Sequence, residues 1–210
     1  HEPPRRAQLP AMRSLSNQVQ RMNLDVETLA PVHGDPVPWS DFKAALDSSL
    51  PELQRWISWA MNEPSQLDLL EDRLNGYRDD FFGGRSALFA LMDPDETEVL
   101  GGAGLYRRVG PGALEIGYWV RSDQTGQGFA TEAAHAMTEA GFMLSGIERI
   151  EIHCDPLNAP SIAVPRKLGY EHGETLVDHA VGPRGESRDT MIWRLTMEAY
   201  AATRWEHCSC

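Results

Sequence analysis

The sequence is poor in cysteine, in basic residues and in long apolar runs, and each shortage removes a class of function. Only 3 of its 210 residues are cysteine. Cys154 lies in a strand-like run and reads as a buried core thiol; Cys208 and Cys210 form a Cys-Ser-Cys tail and read as exposed thiols. No set of His and Cys has zinc-ligand spacing, so no metal is expected. So few thiols fit a reducing cytoplasm better than a disulfide-stapled secreted fold. Lys and Arg number 19 against 31 Asp and Glu, a formal net charge of −12. Phosphate backbones demand a basic footprint, which argues against nucleic acid as the main partner. The acidic field favours cationic ligands instead, or simply serves solubility. No apolar run approaches the ~20 residues of a membrane span. No basic segment followed by an apolar stretch opens the chain as a secretory signal would. Repeats and low-complexity tracts are also lacking.

What is present suffices for one substantial core and too little for two, at 41% hydrophobic and 24% charged residues. The chain is organised around 115–170. Leu114 to Val120 is an apolar, aromatic-rich run that reads as a buried strand. Arg121 to Thr125 break it, Gly126-Gln127-Gly128 follows, and then Ala130, Ala133, Ala134, Met137, Ala140 and Leu144 recur at helical spacing. In the order strand, glycine loop, helix, the first N–H groups of the helix lack internal partners and sit at the positive end of its dipole. Glycines let a bulky anion reach them, so a diphosphate fits against Gly126, Gln127, Gly128, Phe129 and Ala130. Two glycines alone support a plain tight turn equally well.

The rest of the chain is read around this unit. Residues 1–21 form an N-terminal extension of open order, with Met22 a natural start for the domain. Leu24 to Pro31 is a candidate first strand. Ser40 caps a helix over 41–48, and Pro51 opens a second over 51–61, with Trp56 and Trp59 three apart on one face. A third helix spans 65–82. Strands follow at 86–92, 99–108 and 113–120, a helix at 126–144, a strand at 148–154, a short helix at 158–168, and a hairpin of 170–179 with 188–196 around Gly182-Pro183-Arg184-Gly185. The helix between two strands implies a locally parallel pair. The expectation is one α/β domain over 22–198 with a mixed sheet, and a tail over 199–210.

Four words occur in order: Glu115-Ile116-Gly117-Tyr118-Trp119-Val120, Gly126-Gln127-Gly128-Phe129-Ala130-Thr131-Glu132-Ala133, Asn158-Ala159-Pro160-Ser161 and Lys167-Leu168-Gly169-Tyr170. Together they resemble the acetyl-CoA motif of the GCN5-related N-acetyltransferase (GNAT) family. The likeness is greatest to the RimJ/RimL-like branch that acetylates ribosomal-protein N-termini, and it is densest over 86–196. It implies a mostly antiparallel sheet of six to seven strands flanked by helices. It also implies direct acetyl transfer from acetyl-CoA to a primary amine, either a protein or peptide N-terminus or a small molecule such as an antibiotic. A non-catalytic acetyl-CoA-binding sensor or scaffold is the alternative, and a homodimer is left open. A dinucleotide-binding oxidoreductase is excluded, because the third glycine position is Thr131 and the loop follows three strands.

The resemblance places the cofactor against Tyr118, Trp119, Val120, Gln124, Gly126, Gln127, Gly128, Phe129, Ala130, Thr131, Asn158, Ser161 and Lys167. Glu115 matches a strand carboxylate that acts as base through water, a role suited to a carboxylate in an apolar strand; the bland alternative is a solvent-facing Glu. The backbone N–H near Tyr118 would bind the thioester oxygen. A family tyrosine that protonates the leaving thiolate falls at Pro165 here. That leaves Ser161, either as the thiolate's hydrogen-bond donor or as a helix cap. Pro165 also removes the N–H that would bond the Ser161 carbonyl, which predicts a bend. His179 falls near a second carboxylate of some relatives. Asp123 stands where the wider family prefers Gln or Arg. Asn158 matches a pantetheine contact or makes an Asx turn. Trp56 and Trp59, with Asp68, Glu71, Asp72, Asp79 and Asp80, are expected to receive a cationic acceptor.

Overall fold

Among the described residues the chain forms a seven-stranded sheet in the order β1-β2-β3-β4-β5-β7-β6. The structure, a computed structural model, describes residues 12–14, 39–70, 72, 86–93, 95, 97–182 and 184–206. The strands are β1 (Met12–Ser14), β2 (Ser86–Met92), β3 (Val99–Tyr106), β4 (Ala113–Val120), β5 (Arg149–Cys154), β6 (Glu171–Val181) and β7 (Ser187–Thr196). Every pairing is antiparallel except β4 with β5, where helix α2 (Phe129–Met143) makes the crossover. The other described helices are α1 (Trp39–Trp56), α3 (Ala159–Lys167) and α4 (Met197–Glu206). No helix among the described residues is long and apolar enough to cross a membrane.

Alternation along β4 divides the core in two. Leu114 and Ile116 face α2 with Ile150, Ile152, Ala134 and Met137. Trp119, on the opposite face, packs with Phe42, Leu46, Leu50 and Leu53 of α1. The Phe42 and Trp119 rings meet edge to face at 5.6 Å.

Two expectations are corrected here. The two helices read at 41–48 and 51–61 are one, with Pro51 inside it. Pro51 lies on the exposed side while Leu46, Leu50 and Leu53 keep one buried stripe running past it, so packing outweighs the lost backbone hydrogen bond. The break comes at Ile57, which is extended (φ −118, ψ 112) before a 3₁₀ turn over Ser58–Asn62. Trp56 and Trp59 therefore do not share a helical face. The strand β1, drawn from the stretch read as an extension, pairs Met12–Ser14 with Phe89–Leu91 and covers the β2 edge. The stretch read as a tail from 199 begins as α4, whose Tyr200 ring stacks on Phe142 at 4.9 Å. The strand read at 24–31 lies outside the described residues, as does most of the helix read over 65–82; residues 67–70 and 72 are helical.

The feature that positions the site is a fork. Parallel pairing of β4 with β5 covers only Ala113–Ile116 against Arg149–Ile152. Beyond it β4 follows β3 as far as Val120, and β5 follows β7 as far as Cys154. The sheet opens between Gly117–Val120 and His153–Cys154.

Candidate active site

A cavity of about 1420 Å³ passes through this fork and is lined from both faces of the sheet. Tyr118, Phe129, Ala130, Cys154, Ser161 and Lys167 line it on the side of α2 and α3; Trp56, Tyr106, Arg108, Glu115, His153 and Arg188 line it on the side of α1 and the β6–β7 hairpin.

On the first side the glycine loop takes the shape that only glycine adopts freely. Gly126 has φ +77 and Gly128 has φ +97, and a Cβ at either would meet nothing within 4 Å. Gly128 is the N-cap of α2, with no side chain capping the helix. Open space therefore stands against the uncapped N–H groups that follow it, an arrangement that fits a diphosphate. Asp123 is held by Arg121 (Nε to Oδ1, 2.7 Å), whose hydrogen bond keeps the carboxyl below the usual carboxylate range. Arg121 is itself tied to Glu98 and to the Val99 carbonyl. Gln127 donates to Gln124 at 2.9 Å, bracing the loop. Of the expected cofactor contacts, Trp119 is redirected: its side chain is core on the α1 face.

The helix α3 resolves the reading of Ser161. Asn158 is the N-cap and accepts from the Ser161 N–H at 3.2 Å, so the asparagine and not the serine caps the helix. The Ser161 carbonyl, orphaned by Pro165, accepts instead from the Tyr118 hydroxyl at 3.1 Å. The helix continues through Pro165 to Lys167 because β4 supplies the missing donor. Tyr118 Oη also lies 3.3 Å from Ser161 Oγ, and burial raises the phenol's pKa, keeping it protonated. Burial likewise pushes the Cys154 thiol up to about 11, so it stands beside Ser161 as a neutral thiol. Tyr118→Phe is expected to cost about 1–3 kcal/mol, the penalty for an unsatisfied buried acceptor. Urea unfolding measures it, and an unchanged midpoint would mean that another donor replaces the phenol.

On the second side the fork has a charged floor. Glu115, 8% exposed, accepts two hydrogen bonds from one guanidinium: Arg108 Nε to Oε2 at 2.7 Å and Nη2 to Oε1 at 2.6 Å. It is thus neither a solvent-facing Glu nor a carboxylate alone in an apolar strand. In register with it, Glu151 accepts from Arg149 (2.7 Å) and Arg194 (3.0 Å) on one oxygen and lies 2.7 Å from His153 Nε2 through the other. Burial pushes the Glu151 carboxyl up, but the hydrogen bonds from His153, Arg149 and Arg194 outweigh it and hold the group below the usual range. His153 Nδ1 faces Glu115 Oε2 at 3.9 Å.

The outer mouth differs from expectation. Trp56 is stacked by the chain's own cations, Arg55 at 5.3 Å and Arg188 at 5.6 Å from its ring centroid. Arg188 also donates to the Arg55 carbonyl and to Asp155, both at 2.9 Å, and Ser58 Oγ donates to the Val181 carbonyl at 3.0 Å. Together these pin the end of α1 and its 3₁₀ turn to the hairpin, leaving Trp59, 43% exposed, as the ring open to a cation. His179 sits on the exposed rim, its Nδ1 3.3 Å from Thr190 Oγ1, while His153 occupies the floor. Glu71, Asp79 and Asp80 lie outside the described residues. Among the described residues no cluster of His, Cys, Asp and Glu could hold a metal ion.

Sequence reasoning missed Arg108, Glu151, His153 and Arg188. The alternation of Glu151, His153 and Asp155 against Ile150, Ile152 and Cys154 carried a signal for the middle pair: it puts Glu151 and His153 on one face.

A family model for the acetyltransferase (GNAT) domain matches residues 35–171. An uncharacterized N-acetyltransferase, p20 of Bacillus licheniformis, is 29% identical over 120 residues, covering 56% of this chain and 66% of that protein's length. RimJ of Mycobacterium smegmatis, solved with CoA-disulfide, is 26% identical with a TM-score of 0.66, covering 78% of this chain and 80% of its own. The ribosomal-protein alpha-N-acetyltransferase RimL, solved with coenzyme A, superposes with a TM-score of 0.69 at 18% identity, covering 77% of this chain and 89% of its own, a likeness of fold.

Proposed function

Because the chain belongs to the acetyltransferase (GNAT) domain family, we propose that it moves an acetyl group from acetyl-CoA directly to a primary amine. The observation that carries this reading is the fork, which joins an uncapped helix N-terminus on one face of the sheet to a charged floor on the other. Acetyl-CoA, when bound, supplies the thioester whose carbonyl carbon the amine attacks.

The chain's own groups do the rest. Backbone N–H groups at the start of α2 hold the diphosphate. The Arg121 N–H donates to the Leu100 carbonyl, so by alternation the N–H groups of Trp119 and Gly117 face β3 while that of Tyr118 points into the fork. There it is placed to stabilise charge developing on the thioester oxygen. The Ser161 hydroxyl, 3.3 Å from the Tyr118 hydroxyl, is the donor for the departing sulfur once it turns from the phenol. No side-chain nucleophile is required, which agrees with a Cys154 thiol that stays neutral.

The acceptor in this reading is a cationic α-amine of a peptide or a small-molecule amine. RimL is a ribosomal-protein N-terminal acetyltransferase by name, which favours the peptide. The acceptor side mixes Glu52, Glu115, Asp155 and Asp189 with Arg108 and Arg188, so it suits an amine with hydrogen-bonding neighbours better than a bare polycation. The test is a panel of N-terminally free peptides, polyamines and aminoglycosides assayed by release of free coenzyme A. Turnover with an α-amine peptide or small amine is expected. Acetyl-CoA binding without release for any amine would identify a binding module instead.

A further inference from the structure

We propose that His153 is the base that takes the acceptor's proton, with Glu151 positioning its ring and Glu115 as the ammonium's counter-charge; the inference rests on the acetyltransferase reading and deepens it. Three observations carry it. First, His153 stands where the sheet opens. Pairing between the parallel strands ends at Ile116 with Ile152, so Gly117 and His153 are the first residues on the two lips of the fork, and both line the cavity. The pleat puts Glu115, Gly117, Glu151 and His153 on the face of the sheet opposite the glycine loop's helix.

Second, the ring is oriented. Glu151 is ionised and accepts only, so His153 Nε2 at 2.7 Å must carry the proton, and Nδ1 presents the lone pair. This is the logic of a carboxylate that fixes an imidazole's tautomer and stabilises the imidazolium that follows. Third, the competing base is committed. Both Glu115 oxygens accept from Arg108, whereas His153 Nδ1 stands 3.9 Å from Glu115 Oε2, beyond hydrogen-bond reach. An ammonium entering that gap meets the imidazole lone pair as base and a carboxylate as counter-charge. The charged groups around the ring are Glu151 and Arg149 on its own strand, Glu115 on β4, Arg108 after β3 and Arg194 on β7.

The balance is closed. The ammonium gives one proton to His153 Nδ1, the free amine forms the C–N bond as the C–S bond breaks, the nitrogen's second proton goes to the departing sulfur, and His153 returns its proton to solvent.

The experiment compares wild type with His153→Gln, an amide that can still donate to Glu151, using the best amine from the panel. At pH 6, kcat/KM is expected to fall about 10²- to 10⁴-fold. The variant's rate should then rise about tenfold per pH unit towards the amine's own pKa, ~8 for an α-amine, because it must draw on amine already deprotonated. The wild-type profile should be less steep. A second readout needs no turnover: diethyl pyrocarbonate should modify His153 in the free protein, and acetyl-CoA should protect it, with exposed His179 modified in both. The thermal shift given by acetyl-CoA should be equal in wild type and variant. Parallel pH profiles, or modification of His153 indifferent to acetyl-CoA, would overturn this inference alone; failure of every amine in the panel would overturn the acetyltransferase reading and this with it.

Discussion

Gly128→Asp abolishes the stabilisation that acetyl-CoA confers on the wild-type chain. A ligand that binds only the folded state at about 100 times its Kd contributes ~2.7 kcal/mol, and the variant is expected to show none of it. The backbone at Gly128 is left-handed, φ +97, which costs most side chains ~1–2 kcal/mol but is visited by Asp and Asn. A Cβ there meets nothing within 4 Å, so the fold accommodates the change. The new carboxylate, however, lies at the uncapped N-terminus of α2, where it accepts the N–H groups meant for the diphosphate and repels the diphosphate itself. Gly128→Asn separates charge from shape. It occupies the same conformation without the charge and should keep part of the shift. Thermal melts with and without acetyl-CoA decide the matter, and equal shifts for wild type and Gly128→Asp would sink the assignment of the loop.

The elements legible in the sequence are those set by short-range rules. Strand β4 was legible because Leu114 to Val120 is an apolar, aromatic-rich run broken only by Glu115, and the start of α2 because glycine loop and alanine-rich helix adjoin in sequence. What escaped depends on register and on contacts distant in the chain. The Arg108–Glu115 pair exists because Tyr106 lies opposite Glu115, a consequence of where the intervening turn sets the hairpin. His153 gains its place from the register of Glu115 with Glu151 and from pairing that stops one residue later. The face of Trp56 read as open to an amine, but Arg188 from the hairpin already covers it. Pro165 removes the N–H that would bond the Ser161 carbonyl, and Tyr118, from β4, supplies a donor to that carbonyl while the helix runs on to Lys167. In each case the local rule was sound and a partner from another strand decided the outcome.

The largest folding effect should come from Glu151→Ala. The Glu151 side chain is 4% exposed and holds Arg149, Arg194 and His153 together beneath the fork. Breaking a buried pair from one side costs about 3–5 kcal/mol, because the remaining charges lose their partner. Arg149 and Arg194 are each 36% exposed and can turn to water, so the lower end, about 3 kcal/mol, is expected. For a domain of this size that is a fall in Tm of roughly 6–12 °C. The effect must also depend on pH. The folded Glu151 carboxyl lies below its ordinary value of 4.5, so its contribution is fully present above that value and is lost as pH falls through the folded pKa. The gap in Tm between wild type and Glu151→Ala should therefore be widest above pH 4.5 and narrow as the pH falls below it through the folded pKa, where the wild type protonates the same group the variant lacks. Melts across pH 3 to 7 measure it. A gap that stays constant over that range would mean that Glu151 stabilises by filling space, not as the ionised acceptor that fixes the His153 ring.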